Sequence, residues 1–211
     1  VPLRCTQATE GVMVMILGVS GVSGAGKSTL AAALAQGLNA VLISWDEFDE
    51  ISIAPEDYVD WYQRGQDYHE WNYCELAQVL QTLKSGASIV HPVTHNVLRP
   101  TELIIFDAPL GRLHHQTGQY IDLCFHIDVP LDISLCRRVL RDFKENNKGK
   151  AELLEELLFY VNEARALFFD EDLKRKANLI VDGMLKTELQ VQLIKHFLSR
   201  RKIGNASKSY Y

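Results

Sequence analysis

The sequence predicts an α/β fold, a parallel sheet with helices on both faces. Two observations carry that prediction. Strand-length apolar runs alternate with helical segments along most of the 211 residues, the pattern that parallel strands and helical crossovers produce. The glycine-rich stretch Gly18–Thr29, GVSGVSGAGKST, also lies between an apolar run and a run of strong helix formers, so a tight turn links a strand to a helix.

Each element follows from its local pattern. Val12–Leu17 is apolar throughout, as a strand buried on both faces requires. Lys27–Gln36 is rich in Ala and Leu and predicts a helix, with Gly37 placed as its C-cap. Ala40–Ser44 reads as a second strand, and Asp46–Asn72 is acidic, aromatic and irregular. Cys74–Leu83 is helical, Ser88–Val93 a short strand, and Glu102–Phe106 and Ile121–Val129 are further strands. Leu131–Lys144 is helical. Glu152–Phe169 repeats Leu154, Leu157, Leu158, Val161, Ala164 and Phe168 at helical spacing. Asn178–Val181 is a last strand and Leu185–Arg200 a last helix. One domain is expected over residues 1–200, with a lid at about 137–152 and a polar, frayed tail at 201–211.

Composition narrows the class. Apolar residues make up 47% of the chain, which suits neither a disordered nor a membrane protein, and a net charge of −5 gives no support for nucleic-acid binding. The four cysteines lack metal spacing, consistent with reduced thiols and a cytoplasmic location. His91, His95, His114 and His115 match no zinc spacing.

In the glycine-rich stretch, only Gly21 stands five residues before Gly26-Lys27-Ser28. G-x-x-x-x-G-K-[ST] is then complete from Gly21 to Ser28, the phosphate-binding loop of nucleoside triphosphatases and kinases. Gly21, Ser23, Gly24, Ala25, Gly26, Lys27, Ser28 and Thr29 are the expected nucleotide contacts, and Gly18 a packing position. Lys27 would reach the terminal phosphates of ATP or another triphosphate, and Ser28 would hold magnesium. Three further stretches point to phosphoryl transfer. In LIIFDAPLG, Asp107 ends an apolar strand, where a carboxylate can also hold magnesium. In LISWDEF, Asp46 ends another, where it can accept a proton from a hydroxyl substrate; Glu47, Asp49 and Glu50 crowd the same turn. In LCRRVLRDF, Arg137 and Arg141 lie roughly 40° apart around a helix, with Arg138 beyond Arg141. That cationic edge is suited to close on phosphates, Arg138 and Arg141 acting in catalysis and Arg137 on the nucleotide. The polar segment 145–150 suits a lid tip.

Taken together, the motifs resemble the uridine kinase group of P-loop kinases, which includes nicotinamide riboside kinases and is close to phosphoribulokinase. GVSGVSGAGKST resembles its loop, SWDEF its strand-end D-x-F with the proposed base, RRVLRD its lid helix and ANLIVDG its final strand. The resemblance implies an adenylate-kinase-like parallel sheet in the order 2-3-1-4-5, ATP and Mg2+ as cofactors, and a nucleoside as acceptor. His91–Arg99 departs from it, with Thr94 and His95 where the group has Tyr and Asp. Aromatics crowd the span from Trp45 to Tyr73, which holds all three tryptophans. Expected acceptor contacts are Asp46, Phe48, Trp61, Tyr68 and His95. A sugar or vitamin acceptor, and a regulatory nucleotide binder without transfer, remain alternatives. N-K-x-D and D-x-x-G, which a switch GTPase carries, are absent. No nucleic-acid or membrane partner is expected; homo-oligomerisation is left open.

Overall fold

The structure, a computed structural model, describes residues 14–145 and 149–206. In chain order the elements are β1 (Met15–Ser20), α1 (Lys27–Leu38), β2 (Val41–Ser44), α2 (Tyr58–Gln63), α3 (Cys74–Lys84), β3 (Ile89–Val90) and β4 (Val97–Leu98). They continue with β5 (Leu103–Asp107), α4 (His115–Gly118), β6 (Leu123–Asp128), α5 (Leu131–Glu145), α6 (Lys150–Asn162), α7 (Glu171–Lys176), β7 (Leu179–Asp182) and α8 (Thr187–Ala206).

The main sheet is parallel in the order β2-β5-β1-β6-β7. Numbering only its five strands along the chain gives 2-3-1-4-5, as the resemblance implies. β1 and β5 are buried over nearly their whole length, which explains why their sequences carry no polar alternation. One face packs Ile16, Phe106 and Cys124 against Leu76, Leu80 and Leu83 of α3. The other packs Leu17, Phe125 and Val181 against Leu30 and Leu34 of α1 and Ile194 of α8. Gly18 is a close-packing position, since a Cβ there would stand 2.9 Å from Ile121.

Several elements differ from the sequence expectation. Gly37 lies inside α1, where a Cβ would meet the Lys195 ammonium of α8 at 3.1 Å. The left-handed C-cap is Asn39, φ 51°, whose N–H bonds the carbonyls of Ala35 and Gln36. The strand expected at 88–93 is not part of the main sheet. It pairs antiparallel with β4 in a small hairpin, and His95 takes φ 58° between the two strands. The irregular span contains 3-10 turns at Asp46–Ile51 and Tyr68–Glu70 around α2. Helical spacing over 152–169 does not mark one buried helix. α6 ends at Asn162, a 3-10 turn follows at Ala164–Phe168, and Leu154, Leu158 and Val161 are exposed. α8 continues through Arg201 to Ala206, past the expected end at Arg200. The expected lid tip falls partly on 146–148, outside the described residues.

Candidate active site

The site lies at the C-terminal edge of the sheet, where α/β folds place their ligands. Register aligns it: Val19 of β1 and Ser44 of β2 both pair with Asp107 of β5. The backbone continues the alignment beyond the strands, with Trp45 N–H on the Asp107 carbonyl at 3.2 Å and Ala108 N–H on that of Val19 at 2.9 Å. Asp107, the loop after β1 and the turn after β2 are therefore neighbours.

The loop from Gly21 to Ser28 needs its glycines. Gly24 has φ 85° and Gly26 φ 98°, left-handed conformations that disfavour a side chain. A Cβ on Gly24 would overlap the Ser134 carbonyl oxygen, so α5 begins hard against the loop. Ala25 is buried, whereas Gly26, Ser28 and Thr29 are exposed and Ser23 is partly so. The exposed loop and the N-terminus of α1 make a cradle for an anionic phosphate chain. Behind it, buried Ser20 meets His126 Nδ1 at 3.1 Å, and His126 Nε2 meets Asp170 at 2.8 Å. Lys174 bonds Asp170 and Asp128. This buried chain ties the ends of β1 and β6 to α7.

Lys27 spans the cradle, its ammonium donating to the Val22 carbonyl at 3.2 Å. Burial pulls its pKa down, against the opposing pull of Asp107 and Asp46; Arg141 adds to the lowering. Burial pushes the pKa of Asp107 up, while a hydrogen bond from Ser28 and the charge of Lys27 hold it down. Asp107 Oδ1 is buried with no hydrogen-bond partner. A buried, unsatisfied carboxylate oxygen beside a hydroxyl is suited to a hard divalent cation. No cluster of three or more His, Cys, Asp or Glu side chains placed to hold a metal ion occurs among the described residues.

The four crowded acids separate by their partners. Asp46 is exposed and acts electrostatically on Lys27 and Asp107. Glu47 is bound by His91 at 3.1 Å. Asp49 accepts the Tyr73 hydroxyl at 2.8 Å, and burial raises its pKa. Glu50 is exposed on the same turn. Of the four, Asp46 is the acid whose charge acts on Lys27 and Asp107.

The arginines separate as well. Both Arg137 terminal nitrogens donate to the Gly183 carbonyl, at 3.2 and 3.1 Å, so its guanidinium braces the loop after β7 and is not placed on the nucleotide phosphates. Arg138 pairs with Glu156 at 3.3 Å and lies over the rings of Phe168 and Tyr160, 4.9 and 5.8 Å from their centroids. It fastens α5 to α6 and the turn that follows, and none of these contacts lies on the phosphate loop, whereas the sequence reading gives it a catalytic role. Arg141, half exposed, is the one whose charge is felt at Lys27. Arg141→Ala should therefore lower turnover with little change in ATP affinity. Arg138→Ala should lower the melting temperature, through loss of a cation–π and ion-pair contact; kinetics and thermal unfolding on both variants check this.

Of the expected acceptor contacts, Phe48 is fully buried among Trp45, Tyr73 and Leu76, and is a core residue. Trp61 is also buried, donating to the Asp67 carbonyl at 3.0 Å with Tyr68 and Trp71 edge-on. Both rings were expected on the acceptor because aromatic density does not distinguish a wall from its core. Tyr68 is partly buried, and His95 is exposed on the hairpin. The sequence did not reveal His91 as the partner of Glu47, nor Gln116, which accepts Tyr73 N–H at 2.7 Å. No local spacing announces contacts across 44 and 43 residues. Trp71, stacked with Tyr58 at 5.3 Å, keeps a buried indole N–H without a partner.

A phosphate loop, a strand-end carboxylate pair and a cationic helix on this sheet define a P-loop kinase. The sequence model described as "Phosphoribulokinase / Uridine kinase family" matches residues 16–190, and the chain belongs to that family. It is a phosphotransferase with an alcohol group as acceptor. The uridine kinase of Mannheimia succiniciproducens is 27% identical over 214 residues, covering 89% of this chain and 96% of the relative. The uridine kinase of Proteus mirabilis is 28% identical over 203 residues, covering 85% and 92%. A gluconokinase structure from Sinorhizobium meliloti shares the fold, with a TM-score of 0.50 at 14% identity, covering 95% of this chain and all of the other. No helix among the described residues is long and apolar enough to cross a membrane.

Proposed function

We propose that the protein transfers the γ-phosphoryl group of ATP to a hydroxyl of a small metabolite, a nucleoside foremost. The observation that carries this reading is the sheet register that sets Asp107, the phosphate loop after β1 and the turn carrying Asp46 side by side; in keeping with it, the charges of Asp46 and Asp107 act on Lys27. Uridine kinases among the relatives support a nucleoside acceptor. A cytoplasmic location and action on a free small molecule accord with this chemistry.

The loop amides and Lys27 hold the triphosphate, and Ser28 and Asp107 would hold magnesium, which would neutralise phosphate charge. Asp46 accepts the proton of the acceptor hydroxyl as its oxygen bonds the γ-phosphorus. The bond to the β,γ-bridging oxygen breaks and ADP leaves. Arg141 stabilises the charge that develops during transfer, and α5 and α6 serve as the lid.

The test is ADP release from MgATP across a panel of nucleosides, sugars and vitamins. Stimulation by a nucleoside is the expected result. Stimulation only by a sugar or vitamin selects the alternative acceptor class. ATP binding without stimulation by any compound would leave a regulatory nucleotide binder.

A further inference from the structure

The phosphate loop and helix α5 leave the sheet at adjacent points, and one buried side chain joins their roots. Ser20 ends β1 and Gly21 begins the loop; in the sheet register Ser20 pairs with His126 of β6. β6 ends at Asp128, and α5, which carries Arg141, starts at Leu131. The chain returns from α6 through Phe168 and Phe169 to Asp170 and α7. His126 lies where these segments meet. Its Nδ1 and the Ser20 hydroxyl are 3.1 Å apart, and its Nε2 is 2.8 Å from Asp170 Oδ2.

The joint is closed on every side. Ser20 and His126 are fully buried, and Asp170 is 7% exposed. Asp170 Oδ1 holds Lys174 at 3.0 Å. Burial disfavours the charge of Asp170, but the bonds from His126 and Lys174 hold its pKa below the usual carboxylate value. An ionised carboxylate only accepts, so His126 Nε2 carries a proton and donates to it. A Cβ on Gly111, in the turn after Asp107, would meet Ser20 Cβ at 3.2 Å and Leu173 of α7 at 3.3 Å. A Cβ on Gly21 would stand 3.0 Å from the Ile127 carbonyl oxygen, so the first turn of the loop lies directly on β6. The head of the loop is thus set by β6 and α7. Its amides face the phosphates, and a displacement of about 1 Å can cost a reaction 10²-fold.

We infer that His126, held by Asp170, is a positioning residue for phosphoryl transfer: it acts through the Ser20 hydroxyl to fix the head of the phosphate loop. Its effect falls on the nucleotide and not on the acceptor. The inference rests on the proposed kinase function and goes beyond it, since neither His126 nor Asp170 belongs to the loop motif.

The two ends of the imidazole can be tested apart. His126→Gln reaches Asp170 but leaves no polar atom at the Nδ1 position. His126→Asn restores a polar atom near Nδ1, within reach of Ser20, and falls short of Asp170. Ser20→Ala removes the hydroxyl with little change of volume, and it decides the matter should a His126 variant fail to fold. Calorimetry gives the MgATP affinity of each folded variant, ADP release with uridine gives KM for ATP and for uridine, and thermal unfolding gives stability. Ser20→Ala and His126→Gln should each weaken MgATP binding and raise KM for ATP by about fivefold, the scale of one hydrogen bond, with KM for uridine unchanged. Combined, they should lose no more than either alone. His126→Asn should bind MgATP within about twofold of wild type, even where it melts lower. Wild-type MgATP affinity in folded Ser20→Ala or His126→Gln overturns the inference, because a lowered melting temperature by itself marks a packing role only. An equal loss in His126→Asn and His126→Gln also overturns it, as does a rise in KM for uridine that matches the rise for ATP. If uridine and every other compound of the panel leave ADP release unstimulated, phosphoryl transfer has failed on its own account. Calorimetry alone then decides the role of His126, and a wild-type protein that binds no MgATP overturns it.

Discussion

Lys27→Ala should abolish phosphoryl transfer, by roughly 10³-fold or more, and weaken triphosphate binding. The ammonium lies across the cradle, donating to the Val22 carbonyl, and it is held there against burial. Burial disfavours its charge, while Asp107 and Asp46 draw it the other way. A triphosphate adds negative charge beside the ammonium, so the loss should appear in binding as well as in rate. Deleting the side chain removes a burial-penalised charge, so the variant should fold and melt no lower than wild type. Calorimetry of MgATP binding with steady-state kinetics checks the expectation. A folded variant with wild-type affinity and turnover would remove Lys27 from the site.

Asp46→Asn should separate binding from chemistry. The substitution keeps the size of the side chain and removes its charge and basicity. Asp46 is exposed at the end of β2 and feels Lys27 without holding a loop or a helix in place. MgATP affinity should hold or improve slightly, since a negative charge near the phosphates is lost. Acceptor phosphorylation should fall by about 10²-fold or more, the usual scale of a general base. The loss should appear in kcat rather than in the acceptor KM. Glu47→Gln, in contrast, should leave kcat largely unchanged, because its carboxylate is committed to His91. Were Asp49→Asn to reproduce the kcat effect while Asp46→Asn remained active, the base would be the acid hydrogen-bonded by Tyr73.

The nucleotide half of the site was legible in the sequence because its contacts are local. Eight consecutive residues, Gly21–Ser28, form the cradle, and the apolar runs before Asp46 and Asp107 put both carboxylates at the same sheet edge. The arginines were less legible. A helical wheel fixes the angles between Arg137, Arg138 and Arg141 but not the rotation of the helix. That rotation is set by the Gly183 carbonyl, by the rings of Tyr160 and Phe168, and by the approach of Ser134 to Gly24. None of these partners is adjacent in sequence. The acceptor side was the least legible, because residues 46–73 have no periodicity and their rings form a small core of their own. Phe48 and Trp61 look like ligands in the sequence and are packing residues in the fold. Glu47 looks like one acid among four until His91 arrives from the hairpin.

The most direct measurement of the central claim follows the phosphorus itself. ATP labelled at the γ-phosphoryl group is incubated with magnesium, uridine and the protein, and the labelled products are separated. The account predicts label in uridine monophosphate, at a rate that falls by about 10²-fold in Asp46→Asn. Label recovered only as inorganic phosphate or retained in ATP, with uridine and with every other hydroxyl-bearing compound of the panel, would contradict it.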